Sequence, residues 1–145
     1  MRLGGADATR AAGARLAAAL RGGDAVALVG DLGAGKTTFV AGLVAALGGD
    51  RATSPTFALV HEYAARLIVW HVDLYRIDRA AELVELGLDE LVGDPRGIVI
   101  VEWADRFAVL PADHLRVELH HAGDARELVA TGTGPRGEAL AAALG

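Results

Sequence analysis

The chain contains no cysteine, and Lys36 is its only lysine beside thirteen arginines. Without cysteine there are no disulfides and no thiolate metal centres, which agrees with a reducing compartment. Aromatic residues make up 5 % of the sequence. The positive mean hydropathy therefore comes largely from alanine and does not signal a membrane protein. No apolar run approaches the roughly 18 residues that a spanning helix needs. The formal net charge is −5, and a polyphosphate backbone would be repelled by it. That argues against nonspecific nucleic-acid binding, so any RNA-related role is expected to run through a partner. At 145 residues, the length predicts a single domain over 1–145. No repeat, linker or low-complexity segment interrupts it. The Arg-rich start, MRLGGADATRAAGARLAAALRGG, has the look of a transit peptide. Asp7 and Asp24 flank it, however, and a core strand follows at once, so it reads as an integral helix of a cytoplasmic protein.

The coarse pattern is α-β-α-β-β-α-β-β-β-α. The first helix is expected from a cap at Asp7 or Thr9 to just before Gly22-Gly23, with Ala12, Leu16 and Leu20 on one face. AVALVG (25–30) reads as a buried strand and residues 36–47 as the helix after it. TFALVHEY (56–63) and RLIVWHVDLY (66–75) read as an antiparallel hairpin. RAAELVELGLDELV (79–92) is helical, and GIVIVEW (97–103) is a second fully apolar strand, here ending in an acid. HLRVELHHA (114–122) and RELVATG (126–132) alternate apolar and polar, as an antiparallel pair does. PRGEALAAAL closes the chain as a helix, with Pro135 near its first turn. Crossover helices around the first strand imply parallel pairing there, with antiparallel flanks. The fold class expected is an α/β three-layer sandwich with a mixed parallel/antiparallel central sheet.

Between strand 25–30 and the helix after it lies GDLGAGKT. Gly30, Gly35, Lys36 and Thr37 satisfy G-x-x-x-x-G-K-[ST], the phosphate-binding loop. Glycines let the backbone curl until successive N–H groups point inward at the positive end of a helix. Lys36 can reach the β- and γ-phosphates of a nucleotide, and the Thr37 hydroxyl can bind Mg²⁺. A flexible ammonium arm is poorly replaced by a rigid guanidinium fork. A chain that otherwise writes arginine has reason to keep a lysine here.

Phosphoryl chemistry also needs a carboxylate at a strand end beside the loop. LIVWHVD ends at Asp73 and GIVIVE at Glu102, and both qualify. Thr53, Ser54 and Thr56 around Pro55 are either turn chemistry or a switch that senses the γ-phosphate or Mg²⁺. The five histidines show no metal-binding spacing.

GDLGAGKTTF, SPTF, HVDLYR and VEW, in this order and spacing, resemble the TsaE (YjeE) family, and the likeness runs on through ELVELGLDEL to LP at 110–111. The resemblance implies a small P-loop ATPase of tRNA threonylcarbamoyladenosine biosynthesis, fold included. It implies ATP and Mg²⁺ as cofactors and a TsaB–TsaD-like transferase pair as partner, with tRNA reached only indirectly and no membrane. By the same resemblance Asp31, Gly33, Ala34, Gly35, Lys36, Thr37 and Thr38 hold the nucleotide, and Thr37 and Glu102 the metal. Asp73 supports hydrolysis, Thr56 belongs to the switch and Trp103 sits beside the active carboxylate. The base is expected near Asp7 and Thr9. Two other activities fit a phosphate loop: a small kinase transferring the γ-phosphate to a small acceptor, and a nucleotide-dependent scaffold whose turnover is incidental.

Overall fold

The computed structural model describes residues 1–31, 33–49, 60–75 and 77–145. Among these residues, seven strands form one mixed sheet: β1 (Arg2–Leu3), β2 (Ala25–Gly30), β3 (Val60–Tyr63), β4 (Ile68–Asp73), β5 (Gly97–Glu102), β6 (His114–Ala122) and β7 (Ala125–Thr133). Their spatial order is β1-β7-β6-β2-β5-β4-β3. The central pairs β4–β5, β5–β2 and β2–β6 are parallel, whereas β3–β4, β6–β7 and β7–β1 are antiparallel. The parallel centre with antiparallel flanks is the arrangement that the sequence pattern predicts. It brings the carboxyl ends of four parallel strands to one edge, where open α/β sheets bind ligands.

Both faces of the sheet are covered. On one face α1 (Ala6–Ala19), α2 (Lys36–Ala46) and α5 (Gly134–Leu144) bury Leu16, Phe39, Leu43 and Leu140 against Ile98, Ile100 and Leu115. On the other, α3 (Ala80–Leu86) and α4 (Leu88–Leu91) pack Leu83, Leu86 and Leu88 around Trp70, Val72, Val99 and Val101. Strand β5 feeds alternate residues into both cores, which is why GIVIVE reads as a continuous apolar run. Helices α1 and α2 cross where each offers a glycine. A Cβ at Gly13 would lie 2.2 Å from the Phe39 carbonyl oxygen, and one at Gly42 2.2 Å from that of Arg10.

Several details differ from the sequence reading. Helix α1 begins at Ala6 with Gly5 in the capping position, so neither Asp7 nor Thr9 caps it. The buried Thr9 lies inside the helix, and its hydroxyl donates back to the Gly5 carbonyl at 3.2 Å. The single helix expected over 79–92 is broken at Gly87, whose φ of 69° ends α3 before α4 starts. The strand expected to reach Trp103 stops at Glu102. Finally, β1 is only two residues long, too short to show any periodicity.

Asp24, 8 % exposed, anchors the far end of this framework. It accepts hydrogen bonds from Arg136 Nε at 3.1 Å, from Arg136 Nη2 at 2.7 Å and from the Arg21 N–H at 2.8 Å. Asp113 caps α5 by accepting the N–H groups of Arg136 and Gly137 at 3.1 and 2.8 Å. Arg136→Ala strands the Asp24 charge. We expect a loss of about 2 kcal/mol, below the value for a fully buried pair because the guanidinium keeps partial solvent access. A shift in the urea midpoint at unchanged slope checks it.

Candidate functional site

The loop leaving β2 reaches α2 through two glycines in left-handed conformations, Gly33 at φ 79° and Gly35 at φ 105°. An L side chain at either position costs roughly 1–2 kcal/mol, so the motif's glycines are conformational requirements. The turn is tied by the Ala34 N–H donating to the Asp31 carbonyl at 3.0 Å. From β7, Arg126 Nη2 donates to the Gly33 carbonyl at 3.2 Å. Lys36 opens α2, and its ammonium turns back over the loop. It donates to the Gly30 carbonyl at 2.6 Å and pairs with Glu102 Oε1 at 3.0 Å.

Parallel pairing of β4 and β5 sets Asp73 directly opposite Glu102, and β2–β5 pairing sets Leu28 opposite the same glutamate. Both acids therefore stand at the carboxyl edge beside the loop. Glu102 is 13 % exposed and is also held by His71, with Nε2 2.6 Å from Oε2. Burial pushes the Glu102 carboxyl up, but the hydrogen bonds and charges of His71 and then Lys36 outweigh it and hold the group below its ordinary value. These contacts accordingly stabilise the fold at pH above the unfolded carboxyl value, and the contribution fades as pH falls through the lowered folded value. Asp73 is fixed differently: its Oδ1 accepts the Tyr75 N–H at 2.9 Å.

These elements enclose a cavity of about 790 Å³. Of the residues singled out by sequence, Gly30, Asp31, Gly33, Gly35, Lys36, Thr37, Thr38, Asp73, Glu102 and Trp103 line it. Ala34 is fully buried in the core beneath the loop. Thr9 opens instead onto a neighbouring crevice of about 150 Å³, which shares Gly33, Gly35 and Thr38 with the main cavity. Asp7 is not brought to either space: its side chain is 98 % exposed and pairs with Arg10 on the helix surface. Thr53, Ser54 and Thr56 lie outside the described residues.

Three neighbours were not singled out by sequence: His71, Tyr75 and Arg126. Strand alternation offered a sign for His71, which sits two residues before Asp73 and so shares its face. Arg126 belongs to a strand distant in sequence and gave no local sign. Tyr75 lies with Trp103 at the cavity rim, ring centroids 5.1 Å apart and planes at 48°. Trp103, 47 % exposed, has φ 63° and is the only non-glycine residue with positive φ among the described residues. A bulky side chain held there costs about 1–3 kcal/mol and is typical of switch and ligand-clamp positions.

Comparison with known proteins identifies the family. The model of the family described as "Threonylcarbamoyl adenosine biosynthesis protein TsaE" matches residues 3–128. The chain belongs to the TsaE family. A TsaE from Bacillus subtilis is 40 % identical over 136 residues, 91 % of this chain and 84 % of the relative. One from Streptomyces coelicolor is 39 % identical over 140 residues, 88 % and 92 % of the two chains. Both carry the name tRNA threonylcarbamoyladenosine biosynthesis protein. The crystal structure of Bacillus subtilis YdiB superposes with a TM-score of 0.82 at 36 % identity, covering 99 % of this chain and 91 % of that one. The mixed α/β sandwich is thus the fold of a TsaE relative.

Proposed function

We propose that this TsaE-family chain binds and hydrolyses ATP with Mg²⁺ in the 790 Å³ cavity, and that hydrolysis serves threonylcarbamoylation of adenosine 37 in tRNAs reading ANN codons. The observation that carries the reading is the convergence of Lys36, Asp73 and Glu102 from three separate elements on one cavity beside the glycine loop. The loop N–H groups and the Lys36 ammonium cradle the phosphates, and the base lies in the crevice beside Thr9. Asp73 orients the attacking water. The donor set fits magnesium, because the cavity offers a Thr37 hydroxyl and carboxylates, all hard oxygens. Among the described residues no group of three or more His, Cys, Asp or Glu side chains forms a complete cage. Magnesium commonly uses one or two carboxylates and completes its shell with phosphates and water. Thr37 and Glu102 would hold the ion, which when bound neutralises charge on the phosphate oxygens.

The work is done in the cytoplasm with a TsaB–TsaD-like transferase pair, and tRNA is engaged through those partners. Turnover measured with and without TsaB–TsaD tests this reading. Strong stimulation by the pair supports an accessory ATPase. Turnover that needs a small acceptor indicates a kinase, and function that persists without hydrolysis indicates a scaffold.

Trp103, exposed at the cavity rim, is the residue to which we assign partner response. Trp103→Ala loses the Tyr75 ring contact, about 0.5–1.5 kcal/mol, well below the roughly 3–5 kcal/mol of an emptied aromatic core site. It should melt near the wild-type temperature and keep nucleotide affinity while losing stimulation by the partner pair. A large stability loss would make it a core residue.

A further inference from the structure

The Glu102 carboxylate is held from two sides by groups of different mobility. Oε1 meets Lys36, on a long arm that starts from a loop-to-helix junction, and Oε2 meets His71, on the adjacent strand of the parallel sheet. A carboxylate only accepts hydrogen bonds, so the nearby His71 Nε2 is the donor. The histidine is itself confined, with a side chain 14 % exposed. It pairs in register with the fully buried Ile100, and its neighbours Trp70 and Val72 are locked in the core on the opposite face. The two contacts also differ in the demands made on them. Lys36 is shared between Glu102 and the Gly30 carbonyl, and the proposed function asks the same ammonium to serve phosphates. An anchor with other duties cannot fix the carboxylate throughout a cycle. Among the described residues the His71 ring has Glu102 as its hydrogen-bond partner, and it meets the acid from a rigid strand.

We propose that His71 is a positioning residue: its Nε2–H holds Oε2 of Glu102 so that Oε1 stays directed at the Lys36 end of the cavity, where the carboxylate meets a metal–nucleotide complex. The inference rests on the ATP–Mg²⁺ reading above and adds a residue that the loop motif does not contain. The role needs only a neutral donor at the right reach, so a glutamine amide should serve. A leucine of similar bulk should not. When the histidine is removed, Glu102 loses its strand-side anchor and can follow Lys36 or turn toward solvent. The cost should then appear in the contribution of the metal to nucleotide binding, while metal-free nucleotide, held by the loop N–H groups and Lys36, should be affected little.

The test is calorimetric titration of the full chain with a nonhydrolysable ATP analogue, once with Mg²⁺ and once with EDTA, alongside thermal melting. The ratio of the two dissociation constants measures the metal's contribution. His71→Leu is expected to shrink that ratio by about tenfold, as for loss of one charge-assisted hydrogen bond. Its affinity in EDTA should stay within about twofold, a change too small to reflect loss of such a bond. His71→Gln should recover most of the ratio, and His71→Ala gives the same reading should the leucine variant not fold. The proposal is overturned if both affinities fall together, if the ratio is unchanged, or if glutamine rescues no better than alanine. A wild-type chain that binds the analogue with no help from Mg²⁺ would overturn the underlying reading as well. Wild-type metal dependence matched by the leucine variant would overturn the His71 proposal alone.

Discussion

Lys36→Ala should reduce ATP turnover by at least 10²–10³-fold, the typical cost of removing a single preorganised charge-stabilising donor, while the chain remains folded. The two halves of this expectation have separate causes. The loop's shape comes from the left-handed glycines, from the Ala34–Asp31 hydrogen bond and from the Arg126 contact to Gly33. None of these involves the ammonium. What the lysine supplies is a positive charge at the Glu102 end of the cavity, delivered from the start of α2. Glu102 keeps His71 as a partner in the variant, so its carboxylate is not left uncompensated. Titration with a nonhydrolysable analogue should show weakened binding, and melting should show a retained cooperative transition. Unchanged turnover in the folded variant would end the phosphate-loop account.

The second large effect separates the two carboxylates. Asp73→Asn should lower turnover by about 10²–10⁴-fold, the range for a positioned acid–base group, with little change in the magnesium concentration needed for half-maximal rate. Glu102→Gln should instead raise that magnesium requirement. The assignment follows their surroundings. Glu102 sits between two cationic or donor side chains that keep it ionised, as a metal-shell acid must be. Asp73 spends one oxygen on the Tyr75 N–H, an anchorage that aims the group without neutralising it. A magnesium titration of both variants decides the matter, and the opposite pattern would exchange the roles.

Much of this arrangement was legible in the sequence because it depends on local rules. The phosphate-loop spacing, the apolar runs of β2 and β5 and the acids ending β4 and β5 each speak within a few residues. The parallel centre of the sheet followed from helices lying between those runs. What stayed hidden depends on register and on distant contacts. That His71 meets Glu102 follows only once β4 and β5 are aligned so that Asp73 faces Glu102. Arg126 reaches Gly33 because β7 folds back beside β6, 93 residues away in the chain. Asp7 illustrates the reverse limit: the family resemblance implies a place near the base, whereas the structure pairs the side chain with Arg10 on the helix surface. The break at Gly87 was masked because LVELGLDEL keeps a helical apolar spacing across the glycine.

We propose that ATP hydrolysis in this cavity serves threonylcarbamoylation of tRNA. It is tested most directly by the threonylcarbamoyladenosine formed over time on a tRNA reading ANN codons. The reaction contains TsaB and TsaD from the same organism with either the wild-type chain or Asp73→Asn. The account predicts sustained product accumulation with the wild-type chain and little with the variant. Equal, continuous accumulation with both would contradict it.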